Sequence, residues 1–252
     1  MHFIGIIPAR FASTRFPGKP LADIGGKSMI QRVFERASEV FREVVVATDD
    51  ERIRLEVIRF GGKVVMTSPD HKSGTDRCAE ALQRVEEAMP GSRFDVVVNI
   101  QGDEPFISPS QLELLKASFL RKEVDIATLI QPLSDPDDMV NPNCVKAVVA
   151  KNGNAIYFSR SPIPFVRGVE PALWPHRHIF YRHIGLYAYR VPVLREITRL
   201  EPSSLELAES LEQNRWLENG YVIATSVTDE KSVGIDTPAD LQRVLSEYGH
   251  LL

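Results

Sequence analysis

Phe3-Ile4-Gly5-Ile6-Ile7-Pro8-Ala9-Arg10-Phe11-Ala12-Ser13-Thr14-Arg15-Phe16-Pro17-Gly18-Lys19 falls into two unlike parts. Phe3 to Ile7 is apolar without alternation, the pattern of a strand covered on both faces. The part after it holds Arg10, Arg15 and Lys19, the hydroxyls of Ser13 and Thr14, and no acid. In open α/β sheets, ligands lie beyond the carboxyl ends of strands. Arginine can bridge two phosphate oxygens there and lysine supplies a compact charge. Backbone N–H groups and the two hydroxyls add donors. The loop suits a polyphosphate. It is neither GxxxxGK[ST] nor GxGxxG, which removes the main support for a Walker-type NTPase or a dinucleotide-dependent dehydrogenase.

Working outward, short apolar runs alternate with amphipathic stretches. Met29, Ile30, Val33, Phe34, Ala37 and Phe41 recur at helical spacing over 28–41, with Ser28 at the N-cap position. Val44 to Thr48 predicts a second strand. A helix over about 51–60 should stop at Gly61-Gly62. Lys63 to Met66 and Val96 to Ile100 are the third and fourth strands, with a helix over 75–88 between them and another marked by Leu112, Leu115 and Phe119. Strands of this kind separated by helices imply a doubly wound, mostly parallel, Rossmann-like sheet. Further on, Asn143–Val149 and Ala155–Phe158 flank Lys151-Asn152-Gly153-Asn154 and read as an inserted hairpin. Residues 161–178 look irregular. A strand over 181–189, helices near 191–199 and 204–219, a strand over 221–227 and a helix led by Thr237-Pro238 to Tyr248 complete the chain.

The 252 residues carry a net charge of −4, 43% hydrophobic and 25% charged residues, the balance of a globular chain with a sizeable core. That charge argues against a general nucleic-acid binder. Cys78 and Cys144 form no CxxC pair, so neither a redox motif nor a disulfide framework is expected, and a reducing, cytoplasmic setting fits. The apolar N-terminus lacks a basic n-region and is not read as a signal peptide. No run reaches the roughly 18 apolar residues of a membrane span.

Three further motifs carry chemistry. Gln101-Gly102-Asp103-Glu104-Pro105 ends the fourth strand, so Asp103 sits at the same sheet edge as the basic loop. It suits Mg²⁺, which bridges carboxylates and phosphates, and equally suits a plain turn. Asp236, in Gly234-Ile235-Asp236-Thr237-Pro238, is a second metal ligand or a helix-start acid. Ser73-Gly74-Thr75-Asp76-Arg77 opens a helix and offers either an anion site or ordinary capping by Thr75 and Asp76. His176, His178 and His183 tempt a zinc reading, which lacks a supporting ligand set.

Taken together, IIPARFASTRFPGKPL, VVVATDD, DHKSGTDR, VNIQGDEP, NPNCVKAV, YFSRSPIPF, YRHIGLYAYR, SLELAESLEQNRWLENG and GIDTPADL resemble, in order and over almost the whole chain, the 3-deoxy-manno-octulosonate cytidylyltransferase family. The resemblance implies an α/β nucleotidyltransferase fold in one domain: a nucleotide-binding half at 1–130, a sugar-acid pocket and dimerisation region at 131–230, and a C-terminal helix at 231–252. It implies CTP and 3-deoxy-D-manno-octulosonate (Kdo) as substrates, CMP-Kdo for lipopolysaccharide and pyrophosphate as products, Mg²⁺ as cofactor, and a cytoplasmic homodimer with no nucleic-acid or membrane partner. Carried over by position, Ala9, Arg10, Ser13, Arg15 and Lys19 would hold CTP, with Thr75 and Arg77 beside the nucleotide. Asp103 and Asp236 would bind the metal and, with Arg10 and Lys19, serve catalysis. Gln101, Arg160, His183, Tyr187, Glu212 and Gln213 would shape the sugar-acid pocket. A close variant such as 8-amino-Kdo, or sialic acid, stays open as acceptor, and a non-catalytic nucleotide-binding relative is the alternative to an enzyme.

Overall fold

The computed structural model describes residues 1–230 and 234–249. Residues 231–233 and 250–252, the ends of the expected C-terminal segment, lie outside the described residues. In chain order the elements are β1 (Phe3–Ala9), α1 (Met29–Ser38), β2 (Val44–Thr48), α2 (Glu51–Arg59), β3 (Val64–Met66), α3 (Gly74–Ala88), β4 (Val96–Asn99) and α4 (Pro109–Ser118). Then come β5 (Ile126–Leu133), α5 (Pro136–Val140), β6 (Lys146–Val149), β7 (Ala155–Ser159), β8 (Phe180–Arg190), α6 (Val191–Ile197), α7 (Ser204–Glu209), α8 (Glu212–Glu218), β9 (Ile223–Val227) and α9 (Pro238–Tyr248). They form two compact units. The first comprises Met1–Glu113, Arg190–Thr198 and the C-terminal segment from Lys231; the second comprises Leu114–Tyr189 and Arg199–Glu230.

The first unit holds the expected parallel layer. β1 pairs with β2 (Gly5 opposite Val44) and with β4 (Phe3 opposite Val96), and β2 pairs with β3 (Val46 opposite Val64), all parallel. Every residue of β2 and β4 is buried, which is why these runs are apolar without alternation. α1 buries Met29, Ile30, Val33 and Ala37, the predicted face. Ser28 occupies its N-cap, though its side chain makes no capping bond. α2 ends as its glycines require: Gly61 has φ +79°, its N–H meets the Ile58 carbonyl at 3.0 Å, and the Gly62 N–H meets the Val57 carbonyl at 2.9 Å. The start of α3 differs from expectation. Ser73, not Thr75, is the cap; its hydroxyl accepts from the Asp76 N–H at 3.1 Å and Asp76 closes the reciprocal bond. Thr75 falls inside the first turn and is buried. α9 starts as expected on Thr237, which pairs reciprocally with Asp240.

The second unit is built on β5, a strand that the sequence reading did not single out. It pairs antiparallel with β8 and parallel with β9. β6 pairs antiparallel with β8 and with β7, so the hairpin adds to the same sheet. Its turn has three residues, Lys151 to Gly153: the Gly153 N–H meets the Ala150 carbonyl at 2.9 Å and Gly153 takes φ +81°. The helix expected over 204–219 is two helices. Ser210 stands at φ 52°, and Arg160 donates to the Glu209 carbonyl at 2.7 Å and the Ser210 carbonyl at 3.4 Å, holding the break. The stretch 161–178 is anchored by Trp174. This residue is 4% exposed, stacks on Phe180 at 6.1 Å and donates to the Val169 carbonyl at 2.8 Å.

Candidate active site

The basic loop is closed on itself. The Gly18 N–H reaches the Phe11 carbonyl at 2.9 Å, the Ser13 hydroxyl accepts from the Phe16 N–H at 3.3 Å, and Gly18 takes φ +72°. That turn aims Lys19 back at the strand ends. Its ammonium donates to Asp103 Oδ2 at 2.7 Å and to Asp236 Oδ1 at 3.4 Å. Arg15 adds a contact of 3.2 Å to Asp236. The two carboxylates, whose proximity spacing along the chain left open, are therefore neighbours around one cation.

Two backbone features bring them together. The Ile235 N–H donates to the Asp103 carbonyl at 3.0 Å, and Ile235 is fully buried with Ile24, Met29 and Val244, so Asp236 emerges beside Asp103. Gly102 packs so closely on the end of β1 that a Cβ there would lie 2.9 Å from the Pro8 carbonyl oxygen. The glycine in Gln101-Gly102-Asp103 thus answers a close approach between the ends of β1 and β4.

The other residues expected at the nucleotide divide by exposure. Ala9 is buried at the end of β1, and Arg10 is half-buried with a long contact of 3.4 Å to the Ser73 carbonyl. Burial and the neighbouring Arg77 lower the Arg10 pKa, while Asp49 and Asp76 raise it. Arg77 has no exposed surface. Its guanidinium meets Thr67 Oγ1 at 2.6 Å and Asp49 Oδ2 at 3.1 Å, so it is turned into the fold rather than toward open space. Asp49, just past β2, is a member of this charge group that the sequence reading quoted in VVVATDD without assigning it a part.

Asp103 and Asp236 fit a hard divalent cation. They already flank a positive charge, the Lys19 ammonium, at 2.7 and 3.4 Å. A two-carboxylate site suits Mg²⁺, which keeps waters and takes phosphate oxygens for its remaining positions.

In the second unit, His183 and Tyr187 lie side by side with ring centroids 5.2 Å apart. Phe158 packs edge-on against His183 at 4.9 Å, and Trp216 against Tyr187 at 5.2 Å. Desolvation pushes His183 down to about 3, so its ring is neutral. Burial, then the charges of Tyr189 and Glu212, raises Tyr187 well above its ordinary value. Glu212 receives Arg215 at 2.9 Å, and Gln213 is buried. Arg160 spends its guanidinium on the carbonyls of Glu209, Ser210 and Pro142, the last at 2.9 Å. Asn214, which the sequence reading passed over, is fully buried; its amide takes the Phe158 N–H at 3.3 Å and gives to the Phe158 carbonyl at 2.9 Å.

No helix of the described residues is long and apolar enough to cross a membrane. A family model described as cytidylyltransferase matches residues 4–231. The chain is 57% identical over 98% of its length, and 98% of the relative's, to a protein of Parabacteroides distasonis named 3-deoxy-manno-octulosonate cytidylyltransferase. It is 61% identical, over 96% of each, to the protein of that name from Phocaeicola vulgatus. A solved structure of CMP:2-keto-3-deoxy-manno-octonic acid synthetase complexed with CTP superposes with a TM-score of 0.90 at 41% identity, covering 100% of both chains. A cytidylyltransferase structure from Leptospira borgpetersenii, at 17% identity and a TM-score of 0.62, shares the fold. The chain belongs to the cytidylyltransferase family, among the 3-deoxy-manno-octulosonate cytidylyltransferases.

Proposed function

We propose that this chain transfers CMP from CTP to Kdo, giving CMP-Kdo and pyrophosphate for lipopolysaccharide synthesis. The observation that carries the reading is Lys19 held between Asp103 and Asp236 at the mouth of the basic loop, in a chain with relatives of that name at 57% and 61% identity. The anomeric hydroxyl oxygen of Kdo forms a bond to the α-phosphorus, the bond from that phosphorus to the bridging oxygen breaks, and the hydroxyl proton passes to solvent. Such transfers need positioning and charge neutralisation above all. Arg10, Arg15 and Lys19, with Ser13 and the Ala9 backbone, are assigned to the triphosphate, and Arg10 and Lys19 to the charge that builds on the leaving pyrophosphate. Thr75 and Arg77 back the nucleotide from α3. Asp103 and Asp236 are assigned to Mg²⁺, which when bound neutralises phosphate charge and lowers the pKa of a coordinated hydroxyl.

Gln101 beside Asp103, and Arg160, His183, Tyr187, Glu212 and Gln213 in the second unit, are assigned to the sugar acid. Arg160 must give up a carbonyl partner to do so, whereas the neutral His183 needs only a hydroxyl to meet. We assign a homodimer to the hairpin region, where Ile156, Phe165 and Ile179 are exposed at 57%, 73% and 61%. The two cysteines are buried and not joined in a disulfide, in keeping with a cytoplasmic enzyme.

The test is pyrophosphate release with Mg²⁺ across CTP, UTP, ATP and GTP, each paired with Kdo, 8-amino-Kdo, sialic acid or no sugar. Release confined to CTP with Kdo and abolished by EDTA is expected. Release with another acid changes the acceptor, and no release with any pair overturns the reading.

A further inference from the structure

The ladder between β5 and β8 has one fault. Thr128 lies opposite Tyr187 and the next residue, Leu129, lies opposite Ile184, so the register shifts by two residues between them. Thr128, at this shift, is fully buried. Its hydroxyl oxygen is 3.0 Å from the Ile184 carbonyl, 2.9 Å from the Leu186 carbonyl and 3.0 Å from Nε2 of His183.

The chemistry of those neighbours leaves one arrangement. A threonine hydroxyl has one proton and accepts through its lone pairs. Both carbonyls can only accept, so the proton is committed to them. The oxygen then faces Nε2 as an acceptor, and Nε2 must carry a proton. A neutral imidazole protonated at Nε2 has a bare Nδ1, an acceptor. The ring is held in place: the backbone N–H of His183 is tied to the Val145 carbonyl at 2.8 Å, and the ring is wedged between Phe158 and Tyr187.

We infer that Thr128 is a positioning residue that locks His183 in the Nε2–H tautomer, so that His183 meets the sugar acid through Nδ1, accepting from one of its hydroxyls and not pairing with its carboxylate. The inference rests on the assignment of His183 to the acceptor. It adds a residue outside that assignment and selects which group of the acceptor His183 reads.

The experiment uses ¹⁵N-histidine-labelled full-length enzyme, with the His183 signals identified by their loss in His183→Gln. Wild type and Thr128→Ser should show Nε2 as the N–H nitrogen. Thr128→Val should shift the tautomer balance and raise KM for Kdo about tenfold, the size of one lost hydrogen bond, with KM for CTP unchanged. Thr128→Ser should restore wild-type KM. Nδ1–H in the wild type overturns the inference, a result that needs no variant to fold. So does a wild-type spectrum and KM in Thr128→Val. An unchanged KM for Kdo in His183→Gln, with the tautomer as expected, sinks the contact with the acceptor while the lock stands. Absence of turnover in the wild type, with the same spectrum, marks failure of the proposed function alone.

Discussion

Replacing Lys19 with methionine tests the electrostatics of the site directly. The ammonium lies 2.7 Å from Asp103 and 3.4 Å from Asp236, where a divalent cation is assigned. On that assignment metal and ammonium would compete for the same two carboxylates. The Asp103 contact is the better shielded, with the two side chains 14% and 32% exposed; Asp236 is 51% exposed and its contact is weaker. Partly exposed pairs of this kind contribute up to about 1 kcal/mol each, so the metal must displace roughly 1–2 kcal/mol of attraction. Lys19→Met removes that competitor. Without nucleotide, it should bind Mn²⁺ roughly 5- to 30-fold more tightly than wild type, measured by loss of the free-ion EPR signal. Turnover should fall, because the leaving pyrophosphate loses its lysine. Asp103→Asn serves as the control and should bind Mn²⁺ poorly. An Mn²⁺ affinity in folded Lys19→Met equal to or weaker than wild type would refute the competition and, with it, the placement of the metal between the carboxylates.

Two further outcomes follow from the packing. Asn214→Ala strips both bonds from the buried Phe158 backbone. It should lose about 2–4 kcal/mol of stability and about 5–15 °C in Tm, and a urea midpoint shift worth under about 1 kcal/mol would contradict this. Glu80 links Ser68, His71 and Arg84; burial alone would raise its pKa, but the Ser68 N–H, His71 and Arg84 hold it at about 2. Because the folded pKa is depressed, the stabilisation is fully present above the unfolded value near 4.5 and disappears as pH falls through about 2. After solvent screening it should amount to about 1–2 kcal/mol, so Glu80→Gln should be less stable than wild type at pH 7 and converge with it toward pH 2; a gap that persists at low pH would exclude the carboxylate as its origin.

What the sequence made legible was local. β1, β2 and β4 are buried on both faces, so their apolar runs have one reading, and the loop after β1 carries its charge in plain sight. Gly61 and Thr237 mark helix ends because cap geometry depends on a few adjacent residues. β5 was harder, since Pro132 near its end argues against a strand interior. The break at Ser210 was not legible at all. Nothing between Ser203 and Asn219 is a glycine or proline, and the fracture is held by Arg160, far away in sequence. The segment 161–178 hid its buried tryptophan, Trp174, among prolines and charges.

The same division runs through the site. The phosphate-side residues lie at strand ends, and a motif there travels with its function because the strand end positions it. The convergence of Asp103 with Asp236 already exceeds that rule, since it needs the Ile235 N–H on the Asp103 carbonyl and the small side of Gly102 against Pro8. On the acceptor side the geometry depends on register. His183 and Tyr187 are four residues apart in β8, yet their rings meet because the register shifts by two residues between them, setting His183 opposite Ile130 and Tyr187 opposite Thr128. Ile130 and Thr128 lie two apart in β5 and so share a face. A one-residue error in reading that pairing would send one ring to the other side of the sheet. A basic loop can therefore be read from adjacent residues, whereas the meeting of His183 and Tyr187, which we assign to the acceptor, rests on a register shift and on the buried hydroxyl beside it.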